Sequence, residues 1–175
     1  MRLLVGLLFI GFFSFFTAPE FTDWSGYNGG DNRNHFSPLT QINVSNVKNL
    51  QLAWSYSSGG ADTVNQTTQI QCNPIIIQGI MYGVSAGSQA FALDAKSGRE
   101  IWKTDIQEKT PSMNSRGVAF YSSPGHRSKI FFGYGSYLFA LDAKTGKPDE
   151  AFGEKGKINL LNGLKRPGAD DYTVL

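Results

Sequence analysis

This chain has few histidines and cysteines, and their number and spacing argue against two kinds of site. His35 and His126 are the only histidines, and neither lies at metal-ligand spacing from a Cys, Asp or Glu. Cys72 is the only cysteine, so an internal disulfide is excluded and a role as a small buried hydrophobic residue is expected. The residues therefore give no support to transition-metal or thiol chemistry, and both histidines are expected in turns.

Asp94 and Asp142 are the carboxylates whose positions first suggest general acid–base work. Each stands at the same place in one of two similar segments, ALDAKSGR at 92–99 and ALDAKTGK at 140–147. In both segments a Ser or Thr and then a Gly follow the Asp, as in a tight turn where side-chain oxygens cap free backbone N–H groups and Gly takes a positive φ. We therefore expect both carboxylates to cap turns and not to exchange protons.

The two segments form an internal repeat with a spacing of 48 residues, since 140 minus 92 is 48. An aromatic residue precedes each copy, Phe91 in the first and Phe139 in the second. A period of about 40 to 50 residues with several strands per copy is typical of a four-stranded blade of a β-propeller.

The elements that must position these turns are short apolar or alternating runs bounded by turn residues. The predicted strands are Leu52–Tyr56, Pro74–Ile77, Ile80–Val84, Ala90–Asp94, Glu100–Thr104, Gly117–Tyr121, Lys129–Phe132 and Tyr137–Asp142. Gln78-Gly79 is a good hairpin turn between two of them. The pattern predicts an all-β fold, a partial β-propeller of antiparallel four-stranded blades that is incomplete in this chain.

Three regions follow one another along the sequence. Residues 1–18 are predicted to be a signal peptide or an N-terminal anchor, because the uncharged run at 3–16 is shorter than the about 20 residues of a spanning helix. Residues 19–50 form a lead-in, whose apolar spacing from Pro38 onward allows a short helix or a packed irregular segment, and residues 51–175 carry the first blades. The chain is therefore expected to be exported to the periplasm, with membrane anchoring through residues 3–16 as the alternative.

Charge and composition exclude two classes of partner. The chain has 16 Lys and Arg against 14 Asp and Glu, a formal net charge of +2, and its basic residues are scattered. No basic patch therefore indicates nucleic acid or an acidic membrane surface. The 20 glycines and the 13% aromatic content favour a sheet-rich globular class.

The first repeat resembles the tryptophan-docking motif of quinoprotein dehydrogenases that use pyrroloquinoline quinone (PQQ). The motif reads ALDAKSGREIW, from Ala92 to Trp102, with Ser for the usual Thr and Arg for the usual Lys. The resemblance implies an eight-bladed propeller in which the Trp102 indole docks between neighbouring blades. In the second copy the Trp position is displaced and filled by Phe152, so the same contact is not implied there.

The lead-in and the residues after it resemble the start of the same enzymes. The matching residues are Trp24, Gly29-Gly30-Asp31, Phe36-Ser37-Pro38-Leu39, Gln41-Ile42-Asn43, Asn46-Val47-Lys48-Asn49-Leu50 and Ala53-Trp54. The similarity therefore covers nearly all of the chain after residue 18.

The resemblance implies PQQ as the cofactor, a rigid tricyclic quinone with three carboxylates that needs fixed cationic donors and a flat packing surface. Arg116 matches the position where family members place an Arg against the quinone carboxylates. Gln71 matches a position where they carry a polar or acidic side chain that reaches the quinone, with Gln typical of the glucose-oxidising branch. Arg116 and Gln71 are thus the predicted cofactor-binding residues, with an ordinary surface Arg and a solvated Gln as the alternatives.

Two departures from the family pattern leave the substrate open between a sugar, such as glucose or another aldose, and an alcohol. Thr110 and Pro111 stand where alcohol-oxidising relatives carry a vicinal cysteine pair, which disfavours the alcohol branch. Ser112 stands where glucose-oxidising membrane relatives often carry a His. The implied electron acceptor is a respiratory one.

The family's metal is Ca²⁺, and its oxygen ligands, like the Asp taken as general base, are implied in blades that would follow residue 175. An open set of blades exposes unpaired strands, so the sequence is interpreted as the N-terminal part of a larger enzyme that is inactive without the remaining blades. A non-catalytic scaffold with the same repeats and an inactive remnant are the alternatives. Arg116 and the lead-in argue against the scaffold, which needs neither.

Overall fold

The computed structural model describes residues 22–65, 68–104 and 115–163, which contain two four-stranded antiparallel sheets, here named blade 1 and blade 2. Blade 1 contains β1 (Ile75–Ile77), β2 (Ile80–Val84), β3 (Ala90–Asp94) and β4 (Glu100–Thr104). Blade 2 contains β5 (Ala119–Tyr121), β6 (Lys129–Tyr134), β7 (Tyr137–Asp142) and β8 (Lys157–Asn159). In both blades the strands are hydrogen-bonded in chain order. The predicted all-β fold of four-stranded antiparallel blades is confirmed.

Most strands begin and end where the alternating pattern predicts. The bounds of β2, β3, β4 and β7 agree with the prediction, and β1, β5 and β6 differ from it by one or two residues at one end. The predicted hairpin turn between β1 and β2 is also confirmed. Gln78 has φ 49° and Gly79 has φ 78°, and two positive φ values in succession are what a type I′ turn requires.

The predicted strand Leu52–Tyr56 is wrong, because this segment pairs with no strand among the described residues. A strand must exchange backbone hydrogen bonds with a neighbour. The segment instead lies against blade 1 through its side chains, and the Tyr56 and Phe91 ring centroids are 5.3 Å apart. Conversely, β8 has no counterpart in the prediction, because three residues of mixed polarity give no periodic signal.

The two blades share one hydrophobic core. Successive strand residues point to opposite faces of a sheet, and the inward face of blade 1 meets the inward face of blade 2. The shared core contains Ile75, Ile77, Tyr82, Val84, Ala90, Ala92, Trp102, Ile130, Phe132, Tyr134, Phe139, Leu141 and Ala143. Burial of each large apolar side chain contributes about 1.5–3 kcal/mol, so the two blades stabilise each other.

Trp102 on β4 joins blade 1 to the repeat turn of blade 2. Its indole is buried, and Nε1 donates a 2.9 Å hydrogen bond to the carbonyl of Ala143. The ring lies so close to Gly146 that an added Cβ would stand 2.5 Å from it, and Gly146 has φ 70°. The docking contact that the resemblance implied is therefore present. Phe152 instead packs edge-on against Phe131 within blade 2, with 5.3 Å between ring centroids.

Trp54 makes the same contact one repeat earlier. Its Nε1 donates a 3.2 Å hydrogen bond to the carbonyl of Ala95, and its ring lies 2.5 Å from the position of a Cβ on Gly98. Trp54 and Trp102 are 48 residues apart (102 minus 54), the same spacing as the repeat. The stretch around Trp54 therefore docks on the repeat turn of blade 1, as β4 docks on the repeat turn of blade 2.

Asp94 and Asp142 cap the two repeat turns, which confirms their predicted role. Asp94 Oδ1 accepts hydrogen bonds from the backbone N and the hydroxyl of Ser97, at 2.8 and 2.7 Å. Asp142 Oδ1 accepts the equivalent pair from Thr145, both at 2.9 Å. The hydrogen bonds from Ser97 hold the pKa of Asp94 below its usual value. Both carboxylates are thus committed to the turns.

The lead-in is mostly irregular. It contains two single 3-10 turns, Tyr27–Gly29 and Val47–Asn49. The apolar side chains that the prediction assigned to a short helix or a packed segment are instead largely exposed, from 49% to 98%: Leu39, Ile42, Val44, Val47 and Leu50. The predicted signal peptide or anchor, residues 1–18, lies outside the described residues. In the described ranges, no helix has the length and apolar character needed to cross a membrane.

Cys72 is half-buried against the shared core, as expected for a small hydrophobic residue. Its Sγ accepts a 3.3 Å hydrogen bond from the backbone N of Val84. Burial raises the pKa of the Cys72 thiol above its usual value, and the Val84 hydrogen bond opposes this only in part. Since the thiolate is the nucleophile, the protonated thiol is chemically quiet at neutral pH.

Replacing Trp102 with Ala is expected to lower the free energy of unfolding by about 3–5 kcal/mol, because a large buried ring is lost and the Ala143 carbonyl loses its donor. Ile101→Ala on the same strand is the control, since Ile101 is 41% exposed and should cost less than about 1 kcal/mol. Urea unfolding followed by circular dichroism measures both changes. Equal losses in the two variants would contradict the docking role of Trp102.

The single thiol gives a second prediction. At pH 8, alkylation of Cys72 by iodoacetamide should be at least about tenfold slower in the folded chain than in the same chain unfolded in urea, because burial limits access and keeps the thiol protonated. Mass spectrometry of quenched samples gives both rates. Similar rates in the folded and unfolded chain would show that Cys72 is not protected.

Candidate functional site

The stretches that lead into the two blades lie side by side. Asn73, two residues before β1, forms a parallel bridge with Gly117, two residues before β5. The backbone N of Asn73 donates a 3.0 Å hydrogen bond to the carbonyl of Arg116. This pairing holds Gln71 near Arg116, although the two are 45 residues apart in the chain (116 minus 71).

Both predicted cofactor-binding residues line one open cavity of about 530 Å³. The lining residues are Tyr27, Gln71, Asn73, Arg116, Gly117, Val118, Ala119, Phe131, Phe132, Gly133 and Leu138. Concave sites with mainly apolar walls and a few polar groups are the usual form of a small-molecule site. The structure therefore brings together two residues that the sequence could only nominate separately.

Gln71 is half-buried, and only part of its amide is hydrogen-bonded. Its Nε2 donates a 3.0 Å hydrogen bond to Oε1 of Gln69. Its Oε1 is buried and finds no hydrogen-bond partner in the described part of the chain. A buried acceptor without a donor costs about 1–3 kcal/mol, so a ligand that offers an N–H or O–H to this oxygen would be stabilised.

Arg116 combines a fixed backbone with an uncommitted guanidinium. Its carbonyl accepts the hydrogen bond from Asn73, and its buried neighbour Ser115 donates from Oγ to the carbonyl of Gly117 at 3.3 Å. The side chain is exposed, and within the described ranges its guanidinium makes no hydrogen bond or ion pair. A guanidinium presents five N–H donors in a fork that matches a carboxylate. The geometry suits an anionic ligand.

The wall that blade 2 contributes is apolar. Gly133 on β6 and Leu138 on β7 are register partners, and Phe131 stands two residues before Gly133. A glycine without a side chain lets a ligand approach the backbone closely. Phe131 is held in place by its edge contact with Phe152. A flat ring can pack against this wall while its charged groups reach Arg116.

Tyr27 and Asn73 line the same cavity and are not among the predicted site residues. Asn73 stands two residues after Gln71, and on this approach to a strand an Asn is indistinguishable from an ordinary turn residue in the sequence. Tyr27 lies far from both predicted residues in the sequence. The family resemblance of this part of the lead-in rests on Trp24 and on Gly29-Gly30-Asp31, and not on Tyr27 itself. Nothing in the local pattern therefore points to Tyr27.

The two histidines are not among the residues that line this cavity. His35 lines a smaller cavity of about 320 Å³, and His126 lies in a turn between β5 and β6. Among the residues that the structure describes, no group of three or more His, Cys, Asp or Glu could hold a metal ion. Three positions used in the substrate argument lie outside the described residues: Thr110, Pro111 and Ser112.

Comparison with known proteins adds an independent finding. A family model described as "PQQ: Glucose/ethanol/alcohol dehydrogenase, beta-propeller domain" matches residues 24–175. The chain is 30% identical over 160 residues to the glycerol dehydrogenase large subunit of Gluconobacter oxydans, with 84% of this chain and 22% of that protein covered. It is 32% identical over 170 residues to the quinoprotein glucose dehydrogenase of Escherichia coli, with 86% and 21% covered.

The structural comparison agrees with the sequence comparison. The crystal structure of the quinohemoprotein alcohol dehydrogenase from Comamonas testosteroni matches with a TM-score of 0.65 and 31% identity, covering 82% of this chain and 20% of that one. The chain therefore spans about a fifth of the length of the proteins it matches.

Proposed function

The chain belongs to the family of PQQ-dependent glucose, ethanol and alcohol dehydrogenase β-propellers, and we propose that it forms the N-terminal part of a quinoprotein dehydrogenase that oxidises a sugar or an alcohol. The observation that carries this proposal is the cavity of about 530 Å³ that Gln71 and Arg116 both line. The chain alone is expected to be inactive, because the resemblance implies that the general base lies in further blades and because Asp94 and Asp142 are committed to turns.

The residues of the cavity fit the chemistry of the quinone. Arg116 would bind one of its carboxylates, since the guanidinium is exposed and uncommitted within the described ranges. The buried Oε1 of Gln71 would accept a hydrogen bond from a donor on the ring system. The apolar wall around Phe131 and Leu138 would contact the flat rings. The bound quinone would supply the two-electron redox chemistry that no side chain can.

The residues of this chain would bind the quinone and orient it. A bidentate contact from Arg116 fixes direction as well as position, because both N–H groups must point at the two carboxylate oxygens. The apolar wall would cover one side of the bound quinone and keep water from that side, and charged contacts are stronger where water is excluded. The substrate is proposed to be a sugar such as glucose or another aldose, or an alcohol, with a respiratory electron acceptor.

Calcium, export and anchoring are parts of the proposal that rest on the family and on the sequence. The described residues contain no acidic cluster able to hold a metal ion, so the ligands of Ca²⁺ would come from further blades. A periplasmic location is supported by the uncharged run at 3–16, read as a signal peptide or an anchor.

Replacing Arg116 with Ala is expected to weaken PQQ binding by the full chain about ten- to a hundredfold, because a hydrogen bond to a charged group contributes about 1.5–3 kcal/mol. Equilibrium dialysis measures the Kd. Arg116→Lys should give an intermediate loss, since it keeps the charge and loses the fork. Arg127→Ala is the matched control, because the Arg127 side chain is 89% exposed and outside the cavity.

The outcomes separate the enzyme from its alternatives. An unchanged Kd after Arg116→Ala would mean that the quinone does not use this cavity. If the unaltered chain binds no PQQ under conditions where it is folded, a non-catalytic repeat scaffold or an inactive remnant becomes the better interpretation.

A further inference from the structure

The lead-in contributes its own wall to the cavity. Among the lining residues, Tyr27 is the one that comes from the lead-in, and its side chain is 57% exposed. Within the described ranges, its ring has no aromatic partner and its hydroxyl has no hydrogen bond. Single exposed aromatic residues are common on protein surfaces, so the exposure of Tyr27 carries no weight alone. What distinguishes Tyr27 is the way its backbone is held.

Residues 24–35 of the lead-in form the loop that carries Tyr27, and Trp24 attaches the start of this loop to the edge strand β1. Its backbone N donates a 2.8 Å hydrogen bond to the carbonyl of Ile76, and the backbone N of Ile76 donates a 2.9 Å bond back to the carbonyl of Trp24. The Asp23 carboxylate accepts a 2.7 Å hydrogen bond from the backbone N of Gln78, 55 residues later. These bonds fix the lead-in to blade 1 immediately before Tyr27.

The loop is then closed on itself. Gly29 lies against the Trp24 ring, where an added Cβ would stand 3.1 Å from it. The backbone N of His35 donates a 3.0 Å hydrogen bond to the carbonyl of Asn28, and both residues have positive φ, 55° and 62°. Non-glycine residues persist in this region only where the surrounding structure over-determines the backbone. Tyr27 is therefore presented by a fixed backbone, and its side chain is left without a partner in the described protein.

Resting on the proposed quinone-binding function, we infer that Tyr27 is a further cofactor-contacting residue and that it contacts the quinone through its aromatic ring. The polar groups of Arg116 and Gln71 suit the edges of a tricyclic quinone, whereas its faces need flat apolar partners. Phe131 supplies such a surface from blade 2 and Tyr27 supplies one from the lead-in. A Tyr ring has few torsions to fix, so it provides a large contact area at a low cost in entropy.

Two substitutions separate the ring from the hydroxyl. Tyr27→Ala should weaken PQQ binding by the full chain about tenfold, measured by equilibrium dialysis, and Tyr27→Phe should retain the affinity of the unaltered chain. Tyr121→Ala is the matched control and should leave the Kd unchanged, since Tyr121 is 49% exposed and outside the cavity. Urea midpoints of both Tyr27 variants should stay at that of the unaltered chain, which separates a lost contact from a lost fold.

Each result bears on the inference differently. If Arg116→Ala weakens binding and Tyr27→Ala does not, Tyr27 is not a cofactor contact and the proposed function stands. If Tyr27→Phe loses as much affinity as Tyr27→Ala, the assignment to the ring is overturned. If the unaltered chain binds no PQQ, the proposed function and this inference fail together.

Discussion

Two indoles, Trp54 and Trp102, each lie over the glycine of a repeat turn and donate a hydrogen bond to a carbonyl of that turn. A four-stranded sheet cannot bury its apolar face alone, so it must be placed on a second layer. The indole sets that placement, because its ring fits only where the turn residue lacks a Cβ and tolerates a positive φ. The Asp cap and the Gly of each repeat are therefore requirements of the contact between blades as much as of the turn itself.

The same contact explains the position of the cavity. Once blade 2 is fixed on the face of blade 1, the stretches that lead into β1 and β5 run side by side, and the Asn73–Gly117 bridge joins them. Gln71 and Arg116 then line one cavity, and Trp102 is not among its lining residues. The geometry of the site thus depends on the packing of blade 2 against blade 1, which the Trp102 contact determines. A change in that contact would alter the positions of Gln71 and Arg116.

The pattern of the sequence predicts those parts of the fold that local interactions determine. Strands β2, β3, β4 and β7 have the predicted bounds because Gly-containing turns interrupt clear alternation. The prediction is wrong for Leu52–Tyr56, since alternation shows which side chains face a layer and gives no information about whether a hydrogen-bonding neighbour exists. For the site, family resemblance nominates Gln71 and Arg116 by position, but their proximity depends on non-local bonds. Tyr27 has no sequence signal because its place depends on the Trp24–Ile76 pair.

The cavity draws its walls from three parts of the chain that are far apart in sequence: the lead-in, the approach to blade 1, and blade 2. A ligand that contacts all three binds only when they are assembled, so its binding free energy adds to the stability of the assembly. Such a ligand would engage the groups that are uncommitted in the described ranges of the chain, namely the Gln71 oxygen, the Arg116 guanidinium and the Tyr27 ring. The backbone near each group is held by hydrogen bonds: Asn73, two residues after Gln71, donates to the Arg116 carbonyl, and Asn28, which follows Tyr27, accepts from the backbone N of His35. Internal hydrogen bonds near these groups therefore place them, and within the described residues the Gln71 Oε1, the Arg116 guanidinium and the Tyr27 ring have no partner of their own.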